Sequence, residues 1–447
     1  MEIQDIYSRF LECTGLTTDS RKCGPGLMFL ALKGERFDGN EYAKAALEQG
    51  CRYAVMDNPT LYDAGDSRMI LVEDSLKTLQ QLAAHHRRVL GTPVIGITGT
   101  NGKTTTKELC NAVMSSTFRT LCTAGNLNNS IGVPLTVLGM DSSHEYAIIE
   151  MGASHPGDID ELVHISQPDC GLITNVGMAH LLGFGSFEGV KKTKGELYDW
   201  LRAHGGFAFV NRADADLTGM ARDLPTVGYG QVSTQGTLNE DLLVEGRLLG
   251  CTPYLEFEWR KKDGQWHTVR THLIGAYNLN NALAAISVGL HFGVSEQSAS
   301  EAVSNYVPSN NRSQLTVTDR NRLVVDAYNA NPSSMRAALD NFSLMDAPDK
   351  VLILGDMREL GESSAAAHCN ILEIILSNDS FSQVFLVGNE FASAFRTMQD
   401  TDSLKRVSLF ENVEKLQEHL SSSPLSGKTI LVKGSNSTRL TSLLPLL

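Results

Sequence analysis

The sequence predicts an α/β protein of three domains: a small mixed α/β N-terminal domain, a central P-loop-type domain with a mostly parallel sheet, and a C-terminal Rossmann-like doubly wound domain. Three observations carry this. Short β-branched runs alternate with amphipathic stretches over most of the chain, as in strands joined by crossover helices. A Gly-rich turn, Gly99-Thr100-Asn101-Gly102-Lys103, stands directly after the apolar run Val94-Ile95-Gly96-Ile97 and before a helical stretch. The length of 447 residues, 42% hydrophobic and 20% charged, supplies several packed units at roughly 100–200 residues each.

In the first unit, residues 1–91, Asn40 is placed to cap a helix through Glu48, with Gly50 to end it, and Tyr53–Met56 reads as a short strand. Leu76, Leu79, Leu82, Ala83 and Leu90 recur at helical spacing, which predicts a helix over 75–90. Gly91-Thr92-Pro93 stops it, because proline disfavours helix in its predecessor and donates no hydrogen bond. The second unit, 92–307, holds apolar strands at 94–97, 147–149 and 171–174. The alternation of Tyr254-Leu255-Glu256-Phe257-Glu258-Trp259 and the turn at 261–264 predict a hairpin that extends the sheet antiparallel, before a helix over 278–292. The third unit, 308–447, has strand-like runs at 323–325, 351–354, 384–387 and 430–432. Asn331-Pro332 starts a helix there: asparagine accepts from orphan amides, and proline at the first helical position loses nothing.

Fifty-one acidic against thirty-eight basic side chains give a net charge of −13, which argues against nucleic acid as a partner. An anionic small molecule remains compatible, since a helix N-terminus and a few local cations suffice to hold one. Eight scattered cysteines with no Cys-x-x-Cys predict buried, reduced thiols in a cytoplasmic protein, not a disulfide or zinc framework. No stretch approaches the ~20 apolar residues that span a bilayer, and the start Met-Glu-Ile-Gln-Asp lacks a signal-peptide pattern, so no membrane insertion is expected.

The strongest chemical pattern is Gly99, Thr100, Asn101, Gly102, Lys103, Thr104 and Thr105. Glycines let backbone N–H groups curl around phosphates, the helix N-terminus adds partial positive charge, Lys103 reaches the β/γ oxygens and Thr104 offers a hydroxyl to Mg²⁺. These residues are expected to hold a nucleoside triphosphate. The common Gly-x-x-x-x-Gly-Lys-Thr form would put glycine at 97, where this chain has Ile97. Glu150 ends one strand and His180 lies just beyond another, and ligands in open α/β sheets bind at the carboxyl ends of strands. Alone, a glutamate there reads as a solvated loop residue and a histidine as a structural one; around a phosphate loop both become site candidates. His155 is a minor cleft candidate. Gly183-Phe184-Gly185 resembles the opening of a dinucleotide fingerprint, but Glu188 stands where a third glycine belongs, so a loop is expected.

Thr98-Gly99-Thr100-Asn101-Gly102-Lys103-Thr104-Thr105 resembles the ATP loop of the Mur ligases, the cytoplasmic amide-forming enzymes of peptidoglycan synthesis. The resemblance spans nearly the whole chain. Thr18-Asp19-Ser20-Arg21 with residues 29–39 is similar to the family's uridine-diphosphate-binding first domain, and implies Ser20 and Arg21 as substrate contacts. Residues 124–134, with Asn128 and Asn129, follow the ATP loop as in the family. Residues 326–332 (Asp326, Tyr328, Asn329 and Asn331 among them), 354–361 and 432–435 resemble the member that completes the peptide. What the resemblance implies is ATP and Mg²⁺, a UDP-N-acetylmuramoyl-tripeptide and D-alanyl-D-alanine as substrates, and a monomer. It gives one Mg²⁺ to Thr104 and Glu150, a second to His180, and a carbamate to Lys194 as a further oxygen ligand, which suits a hard cation better than an ammonium does. It also places Asn278, Asn281, Arg312 and Asp326 around ATP, although Tyr277 replaces the usual histidine and Asn311-Arg312 departs from the usual Pro-Gly-Arg. A sister ligase adding the third amino acid would carry Asp-Asn-Pro-Arg where this chain has Asn329-Ala330-Asn331-Pro332-Ser333. A folylpolyglutamate synthase-like enzyme would not need the first domain, and an ATP-gated binding module would not need a second metal site.

Overall fold

The computed structural model describes residues 2–232, 241–308, 314–398 and 402–447. Three main sheets follow one another along the chain. The first is four-stranded and all parallel, in the order Gly15–Thr17, Leu27–Leu30, Tyr53–Met56, Met69–Leu71. Its helix Ser75–Leu90 has the predicted span. The Asp74 side chain accepts from the Lys77 amide at one end, and Gly91, in the left-handed region at φ 67°, closes the other. The expected Asn40 cap is corrected. Asp38 accepts from the Asn40 amide to begin a short 3₁₀ turn at Gly39–Tyr42, and the helix proper is Ala43–Glu48. The buried Asn40 side chain instead ties Asp38 to Asp57.

The central sheet has nine strands. From one edge they run Thr120–Cys122, Tyr146–Glu150, Val94–Thr98, Cys170–Ile173, Phe207–Asn211, Thr226–Gln231 and Leu242–Cys251, all parallel. The hairpin strands Leu255–Lys261 and His267–Arg270 then continue it antiparallel, as the alternation predicts. Because successive side chains point to opposite faces, this sheet divides its residues between two cores. Val94, Ala147, Ile149, Ile173 and Val210 pack on one side, in a core continuous with Leu30, Val55, Leu79 and Leu82 of the first unit. Ile95, Ile97, Ile148, Leu172 and Phe209 pack on the other, against Leu279, Leu283 and Ile286 of the helix Asn278–His291. Asp169 locks the junction of the first two units by accepting from Arg87 at 2.7 Å and from the Val94 amide at 2.8 Å.

The third sheet has six strands, ordered Gln314–Val317, Arg322–Asp326, Thr429–Lys433, Lys350–Gly355, Phe381–Val387, Val407–Phe410. Only the first pair is antiparallel. The helix Pro332–Leu344 begins as predicted, with a full capping box: Asn331 accepts from the Ser334 amide, and Ser334 returns a contact to the Asn331 backbone. Among the described residues, no helix is long and apolar enough to cross a membrane, and all eight cysteines are free.

Candidate active site

The strand Val94–Thr98 ends between Tyr146–Glu150 and Cys170–Ile173, so the turn that follows it emerges at the centre of the sheet's carboxyl edge. Ile97 is fully buried and pairs with Glu150. Strand therefore continues through the position where the common phosphate loop has its first glycine, and the turn starts at Gly99. That residue has φ 142°, and a Cβ there would lie 2.0 Å from Thr174 Oγ1. Gly102, at φ 78°, precedes the helix Lys103–Ser115, and its missing Cβ leaves room for Asn281 Oδ1. Gly99→Ala is expected to destabilise the protein by about 1–3 kcal/mol and to raise the KM for ATP, since relief of the clash displaces the loop. Thermal unfolding and initial rates on the same preparation check it.

A second layer that the sequence reading did not single out braces the turn. Thr174 Oγ1 and Asn175 Nδ2 donate to the Asn101 carbonyl at 2.6 and 2.9 Å, and the Asn101 amide donates to Asn175 Oδ1 at 3.0 Å. Lys103 Nζ lies over the loop, donating to the Gly99 and Thr100 carbonyls at 2.7 and 3.0 Å. Thr106 donates to Asn281, which donates to Asn278, so the helix Asn278–His291 is pinned against the loop's helix.

Glu150 is 1% exposed. Its Oε1 accepts from Thr104 Oγ1 at 3.1 Å and from Asn128 Nδ2 at 2.7 Å, whereas Oε2 has no hydrogen-bond partner among the described residues. A buried carboxylate oxygen without a donor is costly unless a cation or ligand meets it. No three His, Cys, Asp or Glu side chains converge as a preformed cage among the described residues.

His180 takes the left-handed region at φ 51° and precedes the one-turn helix Leu181–Phe184, so Gly183 is helical and not the expected loop; a Cβ on it would meet the Ser154 carbonyl. The imidazole Nδ1 contacts Glu359 Oε2 of the third unit. Burial holds His180 below the ordinary imidazole value, with Glu359 opposing and Lys103 and Lys194 reinforcing the shift. Phe184 packs edge-on to His180 and also meets Lys194, whose Nζ is 5.5 Å from the ring centroid. Lys194 is 2% exposed on the helix Phe187–Ala203. Burial above all, and then the nearby Lys103 charge, push its amine well below the ordinary lysine value; Asp158 and Glu196 pull the other way.

The cleft above this loop holds about 620 Å³ and is shared by the central and third units. Its walls include Thr100, Asn101, Gly102, Lys103 and Thr105, together with Glu150 and His180. Asn128, Asn129, Asn278 and Asn281 join them from the central unit, and Asp326, Tyr328, Asn329 and Asn331 from the third. Gly99, Thr104 and Lys194 are not among these walls: Gly99 and Thr104 contact the wall residues Lys103 and Glu150, and Lys194 contacts Phe184, which packs on His180. Lys433, also in the wall, was missed as a site residue; its buried Nζ donates to Asp326 at 2.5 Å. Its sequence clues were its place at the end of a strand and within the run 432–435 that carries the resemblance, but no role was assigned to it. Asn331 Nδ2 donates to Asn101 Oδ1 at 2.8 Å, joining the third unit directly to the phosphate loop. Tyr277 lines the cleft, and His155 stays outside it while its neighbour Ser154 lines it. Ser20 and Arg21 are not brought to this cleft: they form a 3₁₀ turn in the first unit, with the Arg21 guanidinium paired to Asp19. Arg312 lies outside the described residues.

Comparison with known proteins gives likenesses in sequence and fold along nearly the whole chain. The Mur ligase middle domain matches residues 97–289, the Mur ligase glutamate ligase domain matches 311–436, and the Mur ligase family catalytic domain matches 12–87. The chain is 35% identical to the UDP-N-acetylmuramoyl-tripeptide–D-alanyl-D-alanine ligase of Bacillus subtilis, over 95% of this chain and 91% of that protein. It is also 35% identical to the ligase of the same name from Escherichia coli, over 80% of this chain and 78% of that one. A crystal structure of MurF from Acinetobacter baumannii superposes with a TM-score of 0.84 at 29% identity, covering 99% of this chain and 97% of that one. MurF ligase from Thermotoga maritima, in complex with ADP, gives 0.82 at 26% identity, covering 98% and 97%. The chain belongs to the Mur ligase family of ATP-dependent ligases.

Proposed function

We propose that the chain joins UDP-N-acetylmuramoyl-tripeptide to D-alanyl-D-alanine, acting as a monomer in the cytoplasm. The observation that carries this is the phosphate loop Gly99–Thr105 set beside a buried Glu150 with a donorless oxygen, in a cleft closed by residues 326–331 of the third unit. The sequence likeness to ligases of that name supports the choice of substrates.

In the reaction, a carboxylate oxygen of the tripeptide attacks the γ-phosphorus of ATP and ADP leaves, forming an acyl phosphate. The amino group of D-alanyl-D-alanine then attacks the acyl carbon; inorganic phosphate leaves and a proton is released as the amide forms. Little covalent work falls to the protein, so catalysis is positioning and charge neutralisation. Backbone amides at Gly99–Thr105 hold the phosphates and Lys103 faces their β/γ oxygens. Asn278, Asn281 and Asp326 border the nucleotide. Asn128, Asn129, Tyr328, Asn329 and Asn331 position the two peptide substrates. Residues 1–91 hold the uridine diphosphate end through Ser20 and Arg21, residues 92–307 hold ATP, and residues 308–447 bring the dipeptide. Docking of the third unit shields the acyl phosphate from water.

Thr104, Glu150 and His180, with Lys194 as its carbamate, are the residues that would hold Mg²⁺. The ion supplies neutralisation of phosphate charge. The buried, depressed amine of Lys194 favours carbamate formation, because only a neutral amine adds carbon dioxide. Phosphate release with ATP is expected to require both the UDP-linked tripeptide and D-alanyl-D-alanine, with one equivalent of phosphate per product of the summed mass less water. Equal release with either substrate omitted, or with glutamate in place of the dipeptide, would overturn this assignment.

A further inference from the structure

His180 comes from the central unit, yet the group that fixes its ring comes from the third. Its Nδ1 meets Glu359 Oε2, and two residues along the chain the Leu182 amide donates to the Glu359 carbonyl at 3.2 Å. Both partners hold conformations that non-glycine residues seldom adopt: His180 at φ 51° and Glu359 at φ 63°. Gly361, at φ 55°, continues the same loop beside Leu182. Two left-handed non-glycine residues facing each other across a domain boundary are a strained arrangement, kept only where the surroundings enforce it. The carboxylate selects the tautomer with hydrogen on Nδ1, which leaves a lone pair on Nε2, and Nε2 makes no hydrogen bond among the described residues. The ring lines the cleft.

We infer that Glu359 is a positioning residue for His180: the third unit supplies the carboxylate that orients the central unit's imidazole toward a divalent cation, so this metal position is complete only when the two units are docked. The inference rests on the reading of His180 as a metal ligand. A ligating histidine ordinarily donates its other N–H to such a carboxylate, and loss of the partner costs roughly 10–100-fold in metal affinity.

The test is a Mn²⁺ titration of the full-length protein with a non-hydrolysable ATP analogue, counting bound ions by electron paramagnetic resonance, alongside the Mg²⁺ dependence of turnover. Wild type is expected to bind two ions. Glu359→Ala is expected to weaken the second by roughly 10–100-fold while the first is unchanged, and to raise the Mg²⁺ requirement of turnover more than it lowers kcat at saturating metal. Glu359→Gln, which still accepts from Nδ1–H, restores most of the affinity. In His180→Ala the second ion is lost, and adding Glu359→Ala to it changes nothing further. Two ions bound with wild-type affinity in Glu359→Ala, or equal defects in the alanine and glutamine variants, overturn the inference. Two ions retained in His180→Ala instead overturn the underlying reading of that histidine. Because Glu359 is exposed, circular dichroism melts of all variants are expected to superpose on wild type.

Discussion

Lys103→Ala is expected to lower kcat for ATP-dependent phosphate release by roughly 10²–10³-fold or more while the melting temperature stays close to that of wild type. The side chain is only half-buried and packs in no apolar core, so truncation leaves no cavity. What it removes is a cation held over the loop by the Gly99 and Thr100 carbonyls, which on the proposed reading faces the β/γ bridge where charge builds as the bond breaks. Charge that develops in the transition state makes this chiefly a kcat effect. Steady-state kinetics with a coupled phosphate assay, and calorimetric binding of ADP to the same variant, separate chemistry from uptake. Undiminished turnover would remove the phosphate-loop argument.

Lys194→Ala is expected to lose activity by roughly two orders of magnitude or more, and to regain part of it in millimolar formate or acetate. Truncation to alanine leaves space beside Phe184 for a small carboxylate, returning oxygen atoms where the proposed carbamate would lie. Burial and the Lys103 charge keep the amine of the wild-type residue neutral to unusually low pH. Carbon dioxide addition is therefore favoured as pH rises and reversed as pH falls, when the amine takes up a proton instead. Mass spectrometry in bicarbonate, or a ¹³C carbamate resonance from labelled bicarbonate, reads the modification directly. A fully active variant overturns the role.

Much of the fold was legible because local chemistry and tertiary context agree. The helix 75–90, the hairpin beyond Tyr254 and the cap at Asn331 each combine a stop or start residue with a clear period, and packing changes none of them. Where two polar side chains competed for one role, the local reading failed. Asp38 outbid Asn40 as cap because Asn40 is drawn to Asp57, 17 residues away. Gly183 looked like a loop glycine, but its lack of a side chain serves close contact with Ser154 inside a helical turn. In the site, the phosphate loop and Glu150 were readable from strand ends. Asn175 was not, since it acts through Asn101 far along the chain; Lys433 lay within the recognised run 432–435, but its role was hidden because its partner is the distant Asp326.

Asn331 has its two ends committed to different masters. Its oxygen accepts from Ser334 to start a helix of the third unit, and its nitrogen donates to Asn101 in the central unit. Aspartate would keep the first bond and set oxygen against oxygen in the second; serine would keep the cap and fall short of the loop. A substitution at this position therefore breaks the helix start, the tie to the phosphate loop, or both, so the third unit's docking and the beginning of its own helix rest on one side chain.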